Sequence, residues 1–236
     1  KMKKFTLLSL AILLFAGTGF AQSLNFWQKI SESQVSVTGK RYTFPKEYSV
    51  LRLDKTAMQQ FLSTAPMEPA TTARLTNTLT IEIPMPDGTA QSFRIVRYHV
   101  LHPDLEARYP EIKTYTGQGI DDPTATIKLD MTQKGFHAMI LSSKGQFFID
   151  PYNQNTTVDY ICYDKKDLQR TSPFTCEVDD NDVSQELRNK ISTEQRTSGT
   201  QLRTYRLAVA ANVEYTAFHG GTVSLALAAI ATTMNR

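Results

Sequence analysis

The chain has 236 residues, 41% apolar and 21% charged, with no excess of its 11 glycines and 10 prolines, the composition of a soluble globular protein. Its formal charge of +3 is carried by Lys1, Lys3 and Lys4; without residues 1–21 the balance is 23 basic to 23 acidic side chains. That neutral balance, with no basic run, excludes an electrostatic footprint for nucleic acid, and two cysteines are too few for a disulfide framework.

The three lysines precede an apolar run over residues 5–16 and a small-residue exit, Gly17-Thr18-Gly19-Phe20-Ala21. These are the parts of a secretory signal peptide. The run is shorter than the ~20 apolar residues that span a bilayer, so no stable membrane anchor is expected, and cleavage is predicted between Ala21 and Gln22. Lys1 stands before Met2, the natural initiator, and the chain is read as a fragment of a longer reading frame.

Residues 24–30 form an apolar cluster that reads as one or two helical turns. Residues 48–53 read as a strand. Asp54 then caps a helix carrying Met58, Phe61 and Leu62 at i, i+3, i+4, closed by Pro66 and Pro69. From Leu75 the period changes to two: Leu75, Leu79, Ile81 and Ile83 alternate with Thr76, Thr78, Thr80 and Glu82. The turn at 84–88 feeds a second strand over 93–101. Ala125, Ile127, Leu129 and Met131 alternate again, and glycine turns at Gly135 and Gly145 separate runs at 136–141 and 147–149. Val158, Tyr160 and Cys162 continue the pattern. Residues 22–176 therefore predict one mainly β (α+β) domain, a sandwich or open barrel with one or two helices.

Residues 177–187 hold five acids and no base, and the polar stretch onward to about 201 reads as an exposed linker. Arg188, Lys190 and Arg196 are its candidate cleavage points. Beyond it, residues 205–211 suit a buried strand. Residues 222–236 suit a helix capped by Thr222, with Val223, Leu227, Ile230 and Met234 on one stripe. A strand and a helix of about 35 residues cannot bury their own apolar faces, so residues 202–236 read as the start of a second, incomplete α/β domain.

Those last residues, LRTYRLAVAANVEYTAFHGGTVSLALAAIATTMNR, resemble the opening strand and first helix of the reprolysin/adamalysin branch of the metzincin zinc endopeptidases. Upstream, TYTGQGIDDPTATIKLDMTQKGFHAMILSSKGQFFIDPY is similar to the propeptide of secreted bacterial members. The resemblance implies a zymogen whose propeptide inhibits and assists folding of its own catalytic domain, with protein or peptide substrates for the mature enzyme. The family's zinc signature, HExxHxxGxxH, is absent from this chain. None of His99, His102, His137 and His219 has Glu beside it, so zinc and catalysis belong to a catalytic region beyond Arg236, and this chain alone is expected to be inactive. His99 and His102, three apart on a predicted strand, face opposite ways and make a poor metal pair. His137 reads as structural or surface, and His219 as a loop residue. Where family members carry a calcium-binding Glu in the first strand this chain has Arg206, which argues against that calcium site.

By the same resemblance Cys176, in SPFTCEVDD, is a candidate inhibitory zinc ligand: a thiolate in zinc's open position excludes the attacking water. The alternative is a Cys162–Cys176 disulfide, worth roughly 3 kcal/mol by chain entropy. Against it, Cys162 shares a face with Tyr160 and suits a buried thiol. The acidic clusters at Asp121-Asp122 and Asp179-Asp180-Asp182 read as solvated loops rather than calcium sites. The rival reading of the whole is a secreted β-sandwich binding or adhesion module without catalytic activity.

Overall fold

The computed structural model describes residues 26–36, 39–69, 77–154, 156–168 and 207–236. Nine antiparallel strands form one curled sheet, a half-barrel. They are β1 (Trp27–Lys29), β2 (Ser49–Leu53), β3 (Leu79–Pro84), β4 (Ala90–Tyr98), β5 (Lys113–Gly119), β6 (Thr126–Thr132), β7 (Gly135–Ser142), β8 (Gly145–Pro151) and β9 (Asp159–Asp164). Their order is β1-β2-β9-β8-β7-β6-β5-β4-β3. From β3 to β9 each strand pairs with the next in sequence, a meander of the kind the glycine turns predict. The chain then uses β2, laid down earlier, to cover the far side of β9.

Alternation gives every strand a concave and a convex face. The concave residues, among them Leu51, Ile81, Phe93, Ile95, Tyr115, Ile127, Leu129, Phe136, Ile149, Tyr160 and Cys162, make one core. Helix α1 (Lys55–Ser63) packs Met58 and Leu62 into it. The Asp54 side chain accepts from Ala57 N at 3.0 Å, satisfying an amide of the first turn as its cap position predicts. The outer strands do not pair with each other. Instead Ser49 Oγ donates to the Pro86 carbonyl at 3.0 Å and Cys162 Sγ to that of Pro84 at 3.4 Å, so the sheet's far ends meet through side chains.

Three expectations change. The cluster at 24–30 contains strand β1, not helical turns, because Trp27 pairs opposite Leu53 and packs edge-on against Phe136 and Tyr160, with ring centroids 5.2 and 5.5 Å away. His99 and His102 are not on a strand: β4 ends at Tyr98, and His102 is the N-cap of α2 (Pro103–Arg108). Strand β5, KTYTGQG, gave no apolar alternation. Its Gly117 sits where a Cβ would lie 2.5 Å from the Arg94 carbonyl oxygen and 2.7 Å from Ile95 Cγ2, so close approach to β4 requires a residue without a side chain.

The C-terminal segment also differs from the predicted strand. Residues 207–212 are exposed and belong to no strand; residues 205–206 lie outside the described residues. Asn212 caps a short helix α3 (Val213–Phe218), its side chain accepting from Tyr215 N at 2.8 Å. An Asn that satisfies helix-starting amides favours a cap over a ladder. Helix α4 (Val223–Asn235) begins at Thr222, whose hydroxyl accepts from Leu225 N at 3.2 Å, as predicted.

Candidate functional site

Helix α4 lies on the convex face of the half-barrel, so the segment expected to lack a partner surface has one. The residues it buries are Ala226, Ala228, Ala229, Ala231, Thr232 and Asn235. The two ends of the predicted stripe turn outward, Val223 69% and Met234 47% exposed, while Leu227 and Ile230 between them are half-buried. Alanines allow the helix axis to approach the sheet closely, and Ala228 and Ala231 pack on Ile112, with Leu227 at the flank.

Strand register builds the seat beneath this helix. Tyr98 is opposite Thr114, Thr114 opposite Asp130, and Asp130 opposite His137. Ala138 is opposite Ile149, so one step along His137 faces Asp150. The result is a row of polar side chains crossing five strands on the convex face, where Thr114, Asp130 and His137 are buried. Buried polar groups require partners: Thr114 donates to the Tyr98 carbonyl at 2.6 Å and His137 pairs with Asp130, and the last turn of α4 supplies others. Thr232 Oγ1 donates to Asp130 Oδ1 at 2.9 Å. The Asn235 side chain donates to the Leu129 carbonyl at 3.0 Å and accepts from the Tyr98 hydroxyl. Arg236 pairs with Asp150, which also accepts from the Tyr163 hydroxyl at 2.9 Å. At the other end of the helix the Ser224 hydroxyl is within bonding distance of Glu111 Oε1 (3.0 Å) and Gln133 Oε1 (2.8 Å). Helix α3 is tied down beside it: Gln154 Nε2 donates to the Phe218 carbonyl, Lys134 Nζ to that of His219 at 3.4 Å, and Tyr42 packs on Phe218.

The row's electrostatics follow from burial opposed by charge. Burial works to raise the Asp150 carboxyl, but the Arg236 charge, the His137 beside it and its hydrogen bonds outweigh it, and it is held below the usual carboxylate range. Burial, with the Asp130 charge, pushes the Tyr98 hydroxyl up to about 12. Asp130 Oδ1 also lies 3.0 Å from His137 Nδ1. A carboxylate–imidazole pair beside a hydroxyl has the components of nucleophilic catalysis, but the Thr232 hydroxyl donates to the carboxylate rather than to the imidazole. A nucleophile must instead give its proton to the base, so the arrangement is suited to holding a helix, not to acyl transfer.

The residues singled out from sequence fall elsewhere. Cys162 is a buried free thiol, pushed upward by burial, with the Asp87 and Asp150 charges adding to it. A thiol so held resists becoming the thiolate that zinc binds. Cys176, Ala21, Gln22, Arg188, Lys190, Arg196 and Arg206 lie outside the described residues. His99 pairs with Glu106, His102 sits 3.6 Å from Asp104, and His219 caps α3. Among the described residues no three His, Cys, Asp or Glu side chains are grouped to hold a metal ion. His137, read as structural or surface, belongs to the seat, and Asp130 gave no separate signal. The turn is the two-residue Gln133-Lys134, Gly135 being the first residue of β7, and Asp130 and His137 each stand three positions from it, which is the clue that a hairpin pairs them.

No family model matches the chain, and no curated protein matches it. Among solved structures it is similar to one described as "Structure of a chaperone-substrate complex", with a TM-score of 0.36 and 13% sequence identity, covering 56% of this chain and 97% of that chain.

Proposed function

We propose that this chain is the N-terminal portion of a secreted zinc metalloendopeptidase zymogen, in which the half-barrel is the propeptide and α4 the first helix of the enzyme domain. The observation that carries this reading is the two-sidedness of α4. Its small and polar face is held by hydrogen bonds on the half-barrel, while Val223 and Met234 on the other side remain exposed. Leu207, Val209, Val213 and Phe218, in the same segment, are also exposed. Large apolar side chains gathered on one short segment mark a surface meant for burial. A propeptide that grips one face of a helix and presents the other in a fixed position gives the rest of a domain a template to fold on. On this reading the Asp130–His137–Asp150 row carries the folding-assisting role.

The inhibitory role is assigned to Cys176 as a zinc ligand, and activation to cleavage near Arg188, Lys190 or Arg196 in the 177–201 linker. The zinc would be held by residues other than the described ones; bound there, it would activate water for peptide hydrolysis. The half-barrel's own contribution is to position, not to react. In the full-length precursor, Cys176→Ser is expected to release zinc-dependent peptidase activity before processing, and Asp130→Leu to lower the yield of folded enzyme without changing the activity of the molecules that fold. A precursor that shows no chelator-sensitive peptidase activity in any form would sink this reading in favour of a secreted binding module.

A further inference from the structure

A cavity of about 360 Å³ opens between α1 and the β4–β6 end of the concave face. Its floor is the core itself: Leu62, Tyr115 and Met131. Its walls carry three cations, Lys55 on α1, Arg97 on β4 and Lys113 on β5. Arg97 is opposite Tyr115 and Lys113 opposite Met131 in the strand register. Both basic residues therefore belong to the concave face, beside the apolar Phe93, Ile95, Leu129 and Met131. Inward-facing charge on an apolar face carries a solvation penalty that a structure retains only with a partner.

The partners present do not satisfy the set. Glu106 is shared by Arg97, His99 and Lys113, the last at 3.8 Å. Arg97 Nε is buried without a hydrogen-bond acceptor. Tyr115 is 2% exposed, lines the cavity, and its hydroxyl makes no hydrogen bond among the described residues. The lining carboxylate, Glu111, is taken by Gln133 and Ser224. The unsatisfied groups around Arg97, Lys113 and Tyr115 are thus donors, with surplus positive charge, above an apolar floor. Burial and the Arg97 charge lower the Lys113 amine, outweighing Glu106 and Glu111, as an incompletely neutralised cation pair would.

We propose that this cavity binds a small amphiphilic carboxylate, its head between Arg97, Lys113 and the Tyr115 hydroxyl and its apolar tail over Leu62 and Met131. The volume, near the lower end of the range for ligand pockets, selects a short tail. The proposal does not rest on the zymogen reading: its head and tail residues lie on the concave face, although the cavity's rim shares Glu111 and Gln133 with the α4 seat.

The test uses the full chain with octanoate as the probe, 1-octanol and acetate as tail-only and head-only controls, read by calorimetry and by methyl chemical shifts of Met131. Octanoate is expected to bind saturably and to move the Met131 methyl, with both controls at least tenfold weaker. Lys113→Met is expected to weaken octanoate binding at least tenfold, with recovery in Lys113→Arg. Lys55→Met, at the solvent-facing start of α1, supplies a second variant if the first fails to fold, with a loss of about threefold or more expected. Octanol binding as tightly as octanoate, an unmoved Met131 methyl, variants that bind like the wild type, or no saturation at millimolar octanoate would each overturn the assignment.

Discussion

Asp130 and Thr232 are separated by 102 positions in the chain, and the Thr232 hydroxyl donates to the Asp130 carboxylate across 2.9 Å in a buried contact. A hydrogen bond to a buried charge is worth more than a neutral one, about 1.5–3 kcal/mol. This pair is therefore a principal tie between the half-barrel and the helix that follows it.

Thr232→Val keeps the shape of the side chain and removes the donor. Among the described residues the Asp130 carboxylate then retains only His137 as a hydrogen-bond partner. We expect α4 to loosen by about 1.5–3 kcal/mol, read as at least tenfold faster amide exchange over residues 223–235, with β6 and β7 protected as before. Unchanged protection in the helix would mean that its alanine face alone keeps it in place.

The Arg236–Asp150 pair makes the same attachment sensitive to acid. The folded-state Asp150 carboxyl lies below its ordinary value. Its stabilising effect is therefore fully present above the unfolded aspartate value of about 3.9 and is lost as pH falls through the lower folded value. Asp150→Asn should lower the thermal midpoint at neutral pH, by an amount corresponding to about 2 kcal/mol, with the gap to the wild type closing below about pH 4. A gap of constant size from pH 6 to pH 2 would show that the pair does not contribute through its ionised form.

Cys162 supplies a third test, one that separates the two readings of the cysteines. As a buried thiol raised by its surroundings, it should react with a thiol reagent only as fast as the chain unfolds, while in the Cys176→Ser background its reaction after denaturation should be complete. If the unreduced wild-type chain yields no reactive thiol even when denatured, Cys162 is bonded to Cys176 and the zinc-ligand proposal for Cys176 falls with it.

The meander was legible because period-two alternation and glycine turns are local signals. Strand β5 was not, because its sequence uses Gly117 to admit β4 where a periodic pattern would show an apolar side chain. The α4 cap at Thr222 was readable for the same reason as the meander: it is decided within four residues. Which face of α4 meets the body was not. Periodicity finds the largest apolar stripe, whereas the convex sheet surface selects the face with small side chains and donors that match its polar row. Asp130 and His137 likewise alternate like any outward strand residues. Their burial is imposed by a helix about a hundred positions later, and a single sequence does not record that pairing.

The far ends of the sheet carry a consequence for self-association. Strand β1 offers only three residues, and β3 stops at Pro84, beyond which Ser49 and Cys162 occupy the carbonyls of Pro86 and Pro84. A second copy seeking to extend the sheet would find one rim too brief to template a ladder and the other limited to Leu79–Ile83, closed by a Pro84 tertiary amide with no hydrogen to give. The curl thus leaves two margins and offers little purchase for fibril growth at either.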